Sequence, residues 1–340
     1  MRRLFILGFP GLYGGAGTEL HHQILLWTKA FPDMEFRIIP TMENYENEPL
    51  YDKMLEIGVK IEKRMDLSSI TMGDALINFC SRTFWEALPF IYEKTHRIAW
   101  VNCMTYLFDA EKEMSHRNMV SHYLYQRDEV RDDHANQLHD LGARGKFITF
   151  IPYFDSSDTQ FSIKEQQFTH IGRISRQDAD KFSAKTLHIY EYITSPKLKR
   201  GHFLGWGERA KEKIGEPHQW IKTYRDHRVL SVTDFYNIVD FIVQPTDTLE
   251  NLPRIGFEAM YSGKPLVVDN RGGWKHLIEH EKSGFLCNNE REFIYWGTRL
   301  AFEPDLRKRI AENALRKAKE LSSYDKSMES WSSVFNEIYQ

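Results

Sequence analysis

Cysteine is nearly missing from this sequence: 340 residues hold three, Cys80, Cys103 and Cys287. Thiols so few and so scattered do not make a disulfide framework or a zinc knuckle, and they point to a reducing, cytoplasmic setting. Long apolar runs are missing too. No stretch approaches the roughly 18 uninterrupted apolar residues of a membrane span. The opening MRRLFILGFP imitates a secretory leader, but GLYGGAGTELHH follows where a small-residue cleavage site belongs, so it reads as a buried first strand. Nor is one sign of charge in excess. Lys and Arg number 45 against 48 Asp and Glu, which gives no support to a nucleic-acid partner. A peripheral membrane contact would need a local basic or aromatic patch, and composition leaves that open. Short repeats and low-complexity tracts are absent.

What is present is alternation. Apolar runs interleave with amphipathic segments, the pattern of a parallel α/β protein. Strands are expected at 3–9, 35–41, 75–80, 97–102 and 146–152, with helices at 18–31, 84–94 and 115–141. Residues 42–72 carry no clear pattern. After the polar stretch DSSDTQFSIKEQQ the alternation restarts, with strands expected at 168–174, 202–206, 228–232, 240–245, 265–270 and 283–287. Helices are expected over 305–322 and in the last segment, where Met328, Trp331, Phe335 and Ile338 follow helical spacing. The length suits two domains. Two doubly wound halves would bind ligands outside the carboxyl ends of their strands, in the cleft between them.

The loops after those strands carry the chemistry. GFPGLYGGAGTEL follows the first strand, and its glycines let backbone approach a ligand while Thr18 is placed to cap a helix. It is a poor dinucleotide fingerprint, because Leu20 stands where the third glycine belongs and the next strand ends in Pro40-Thr41. Arg173 follows a strand and Lys181 lies eight residues on, cations suited to a phosphate. Asp178 and Asp180 between them imitate a metal pair, but Arg176 and Lys181 flank them, and no metal site is expected. Gly205-Trp206-Gly207 and Arg271-Gly272-Gly273 are further strand-to-glycine turns. In ENLPRIGFEAMYSGKP, Asn251 is an N-cap type, Pro253 suits a first helical turn and Gly263 with Pro265 is a stop signal. A regular helix separates Glu250 from Glu258 by roughly 12 Å, so they would touch different parts of an extended ligand.

Taken in order, IGRIS, FLGWGE, VTDFYNIVDFIVQPT, ENLPRIGFEAMYSGKPLVV and RGGWKHLIEHEKSGFL resemble the retaining glycosyltransferases of family 4, and FIPYFD resembles the end of their first domain. The likeness spans about residues 145–290, weakly extended by Gly14-Gly15. It implies the GT-B fold: an acceptor-binding Rossmann-like domain over 1–160, a donor-binding one over 161–322, and a C-terminal helix, 323–340, crossing back to the first. It implies that Glu258 binds the ribose of a nucleotide sugar and that Glu250 lies beside the transferred sugar. Asn251 and Leu252 would turn amides to the donor, Arg173 and Lys181 would grip the diphosphate, and Gly14, Gly15, Gly205 and Gly207 would line the donor site. The co-substrate would be a UDP or GDP sugar, with no metal or other cofactor. The acceptor would be a glycan, a lipid-linked sugar or a small molecule. One departure is plain. The family's first-domain histidine has no counterpart in WVNCMTYLFD, where Asn102 and Asp109 are the candidates to stand in. Two other readings compete: a nucleotide-sugar binding protein without turnover, and a GT-B nucleotide-sugar epimerase, for which no convincing acid–base set is found.

Overall fold

A computed structural model describes residues 1–340, and the chain divides into two compact units. The first comprises Met1–Asp155 with Ser322–Gln340, the second Ser156–Leu321.

In unit 1 the strands are β1 (Arg2–Leu7), β2 (Met34–Ile39), β3 (Lys60–Ile61), β4 (Ala75–Phe79), β5 (Arg97–Val101), β6 (His122–Tyr125) and β7 (Lys146–Thr149). They form one sheet in the order β3-β2-β1-β4-β5-β6-β7, with every pair parallel. Parallel strands need crossovers, and helices on both faces supply them, so central strands read as unbroken apolar runs. That is why RLFIL and ALINF were legible. HYLY was not. It lies inside the helix expected over 115–141, yet it is a strand buried on both faces, and the helix that follows is only Asp128–Asp140. The last helix, Tyr324–Tyr339, packs on the helix Gly15–Ala30. Trp331 stands edge-on to Trp27 with centroids 4.7 Å apart, and its indole N–H donates to Gln23 Oε1 at 2.8 Å. Trp331, Phe335 and Ile338 are buried in one core with Leu4, Ile24 and Phe150.

Unit 2 holds β8 (Thr169–Ile174), β9 (Lys199–Leu204), β10 (Ile221–Tyr224), β11 (Phe241–Gln244), β12 (Leu266–Asp269) and β13 (Phe285–Cys287), in the order β10-β9-β8-β11-β12-β13 and all parallel. The strand expected at 228–232 is a correction. Val229 is exposed there, and Ser231 caps the helix Val232–Ile238 by accepting the Asp234 N–H. The strand is instead the short edge segment IKTY, whose polar residues hid it. No helix is long and apolar enough to cross a membrane.

Each sheet winds outward in two directions from a central strand. In unit 1 the direction changes between β1 and β4, and in unit 2 between β8 and β11. A crevice opens beside the carboxyl ends at such a point. It places the glycine-rich loop after β1, and the loops after β8 and β11, where ligands bind in this architecture.

Candidate functional site

In unit 2 the loops after four strands lock together. Arg173, at the end of β8, is fully buried. Its guanidinium lies 3.6 Å from the centroid of Phe182 and donates to the Lys181 carbonyl at 2.5 Å. Burial pushes its pKa down to about 10, which still leaves it charged at neutral pH. Nε of Arg173 has no partner. Lys181 Nζ reaches Glu250 Oε1 at 2.8 Å, and both side chains are largely buried. The loop of Lys181 is pinned to the loop of Glu250 by backbone as well, since the Asp180 carbonyl accepts the N–H groups of Asp247 and Thr248 at 3.1 and 3.0 Å. Asp178 pairs with Arg176 at 3.4 Å and Arg209 at 3.8 Å, and Asp180 accepts from Thr248 Oγ1. These aspartates fasten loops.

The glycines have identifiable duties. Gly205 has φ +92°, and a Cβ there would lie 1.8 Å from the Ser175 carbonyl oxygen. The turn after β9 therefore rests on the loop after β8, and Gly207 rests on Gln177. On Gly273 a Cβ would lie 1.6 Å from the Asn251 oxygen, and the Gly273 N–H donates to the Glu250 carbonyl at 2.7 Å. So the Arg271-Gly272-Gly273 turn supports the Glu250–Leu252 backbone. The helix beyond runs Arg254–Tyr261 with Pro253 at the N-cap and no side-chain cap. The expected cap, Asn251, is a correction: it lies two residues too early and is buried against the turn. The Gly256 N–H donates to the Pro253 carbonyl at 2.9 Å, and the positive end of a helix dipole favours an anion. Glu258, half-buried on this helix, receives a 3.3 Å hydrogen bond from the Tyr236 hydroxyl. Burial raises its pKa, with the Arg254 charge and that hydrogen bond opposing the rise.

In unit 1, Gly14 has φ +89° and starts the helix Gly15–Ala30 without a side-chain cap. Thr18 is not the cap, because its hydroxyl donates back to the Gly14 carbonyl at 3.0 Å. Gly11 and Gly17 pack backbone to backbone, whereas a Cβ on Gly14 or Gly15 would meet nothing within 4 Å. Four glycines thus divide into two that close the loop and two that leave it open. Of the candidates to replace a histidine, Asn102 is buried and committed. Its amide donates to Glu111 Oε2 at 2.9 Å and the Tyr106 carbonyl at 3.2 Å, and its oxygen accepts the Met104 N–H. Asp109 is almost wholly exposed. Unit 1 also has a cavity of about 670 Å³, lined by residues including Arg97, His122, Lys146 and Glu337. It opens where β5, β6 and β7 begin, away from the carboxyl ends.

Residues 209–317 match the family described as Glycosyl transferases group 1. The chain carries a group 1 glycosyltransferase domain. An uncharacterised glycosyltransferase of Haemophilus influenzae is 32% identical over 110 residues, 32% of this chain and 31% of that protein. The chain spans about three tenths of the length of the curated relatives it matches. Among solved structures, Anabaena HepE in complex with UDP and glucose superposes with a TM-score of 0.72 at 14% identity, covering 99% of this chain and 100% of that one. TarM gives 0.75 at 12% identity, covering 99% of both. At these identities the likeness is one of fold, and the two parallel-sheet units have the GT-B fold.

The group 1 domain as matched contains Glu250, Asn251, Leu252 and Glu258, while Arg173, Lys181, Gly205 and Gly207 precede it and Gly14 and Gly15 lie in unit 1. The structure brings Arg173, Lys181 and Glu250 together, with the glycine turns beside them. It adds residues that sequence reading passed over. Asp269 accepts from Thr246 N at 2.9 Å and Thr246 Oγ1 at 3.0 Å, and Arg271 donates to the Thr246 carbonyl. Lys213 bridges Asp247 at 2.5 Å and the Ala179 carbonyl at 3.0 Å. An aspartate ending an apolar strand, as in LVVD, was the available signal for the first. Nothing local marked Lys213.

Proposed function

We propose that the chain is a retaining, metal-independent glycosyltransferase of family 4 that moves a sugar from a nucleoside diphosphate to an acceptor held by unit 1. The observation that carries this reading is the Lys181–Glu250 pair at 2.8 Å beside an uncapped helix start, on a backbone that Gly273 supports. A diphosphate leaving group gains charge as the glycosidic bond breaks, and fixed cations and helix N–H groups stabilise that charge without reorganising. Lys181, charged Arg173 beneath it and the amides of Asn251 and Leu252 fit this task. Glu250 would face the sugar and favour its oxocarbenium-like state, while Lys181 shares its charge between Glu250 and the incoming diphosphate. Glu258, whose burial disfavours its anion, would gain hydrogen bonds from ribose hydroxyls. Gly14 and Gly15 would offer open backbone to the donor, and Gly205 and Gly207 would hold the loop of Arg173 in register.

UDP is the favoured nucleotide, since HepE and the pneumococcal GtfA were both solved with it. The acceptor is a glycan, a lipid-linked sugar or a small molecule, and the setting is the cytoplasm. The test is thermal unfolding with UDP, GDP, ADP, TDP and their sugars, on the wild type and on Glu258→Ala. Saturation at a hundred times the dissociation constant adds about 2.7 kcal/mol of stability. One nucleotide should stabilise the wild type and lose most of its effect on the variant. Folded protein indifferent to every nucleotide at millimolar concentration would sink the proposal.

A further inference from the structure

Two of the three cysteines, 23 positions apart in sequence, meet at the carboxyl edge of the unit 1 sheet. β4 and β5 are neighbours with Phe79 opposite Val101, so Cys80 lies one residue past the end of one strand and Cys103 two past the other. Neighbouring strands lie about 4.8 Å apart, and disulfides span Cα distances of about 4.4–6.8 Å. The contact is already made on one side. The Cys103 N–H donates to Cys80 Sγ at 2.9 Å, and that nitrogen is two bonds from the Cys103 Cβ. Cys80 is held there in an unusual backbone state, φ 54°, by its own N–H bonding to the Val101 carbonyl at 3.1 Å. Both residues are partly exposed, while Cys287 is buried.

We propose that Cys80 and Cys103 form a redox-active dithiol that a low-molecular-weight disulfide converts to an intramolecular disulfide. Cys80, whose Sγ accepts the Cys103 N–H and donates to the Val101 carbonyl at 3.3 Å, is assigned as the attacking sulfur, acting as its thiolate. It attacks one sulfur of oxidised glutathione and expels the other as a thiolate. Cys103 then attacks the Cys80 sulfur of the mixed disulfide and expels the second glutathione. The two protein thiol protons end on two molecules of glutathione, so the protein loses two electrons and the disulfide gains them. The bond would tie the loop after β4 to the loop after β5. The second of these is the loop that Asn102 and Glu111 already organise. This inference does not depend on the glycosyltransferase reading.

The test is incubation of the folded protein with excess oxidised glutathione, then alkylation in denaturant and peptide mapping. The free thiol count should fall from three to one, with a peptide joining Cys80 to Cys103 that dithiothreitol releases. Cys103→Ser should trap glutathione on Cys80, and Cys80→Ser should abolish the cross-link. The wild-type map needs no variant to fold. Three free thiols after oxidation, separate glutathione adducts on the two cysteines, or cross-links only between chains would each overturn the proposal.

Discussion

The carboxyl edges of the two sheets are built in opposite ways. In unit 2, the loops after β8, β9, β11 and β12 are tied by the Lys181–Glu250 and Lys213–Asp247 pairs and by glycine turns seated on carbonyls. In unit 1, a Cβ on Gly14 or Gly15 would meet nothing within 4 Å, and Leu12, Tyr13, Met42 and Tyr106 stand exposed on the loops after β1, β2 and β5. Loops fixed by charge-assisted contacts present a constant shape, while open apolar loops can adapt to what they meet. Under the proposed reading, the donor would meet the first kind of edge and the acceptor the second.

The largest effect that would sharpen this contrast is Gly273→Ala. Its methyl would sit 1.6 Å from a backbone oxygen that cannot swing aside, so unit 2 should lose more than about 4 kcal/mol of stability. Calorimetry would read it, and a variant unfolding like the wild type would show the turn to be dispensable. Next is Trp331→Ala, which removes a buried indole packed edge-on against Trp27 and should cost about 3–5 kcal/mol. Only the transition carrying unit 1 should move, and a shift in both would mean the units do not unfold separately.

Lys181→Met should matter less for folding and more for function. It strands Glu250 without its cation, and turnover should fall about 10²–10³-fold if Lys181 stabilises developing charge. Unchanged turnover would remove Lys181 from the proposed chemistry. A smaller effect concerns Glu111, which accepts hydrogen bonds from Trp100, Asn102 and Phe108, and which burial raises from 4.5 to about 8. The folded state then binds more protons than the unfolded chain between those values. Stability therefore declines as pH rises through that window, the reverse of a salt-bridged carboxylate. Glu111→Gln should flatten the decline, as urea unfolding at pH 5 and pH 8 would record. Smallest is Gly15→Ala, expected to change stability by no more than about 1 kcal/mol because the space is open. A loss comparable to that of Gly273→Ala would end the contrast between the two edges.

Much of the fold is legible in the sequence. The apolar runs of β1, β4, β5, β8, β11 and β12 announced a parallel α/β fold, and the order of motifs led to GT-B. β6 and β10 were misplaced for opposite reasons. HYLY is buried on both faces and so lacks alternation, whereas IKTY is a short edge strand with polar residues on view. The glycines were visible as a group, but not that Gly11 and Gly17 close a loop while Gly14 and Gly15 leave one open. Asn251 looked like a cap because its type is right, and the backbone turned it inward instead.

Composition and periodicity alone determined the fold class, the scarcity of disulfide options and the short list of polar residues at strand ends, because those follow from local spacing and from what each side chain costs to bury. Only the tertiary structure decided which of those residues meet. Lys181 and Glu250 are 69 positions apart, and Cys80 and Cys103 are 23 apart. Each pair became neighbours through the hydrogen-bonded order of parallel strands, which long-range packing selects and no local window of sequence contains.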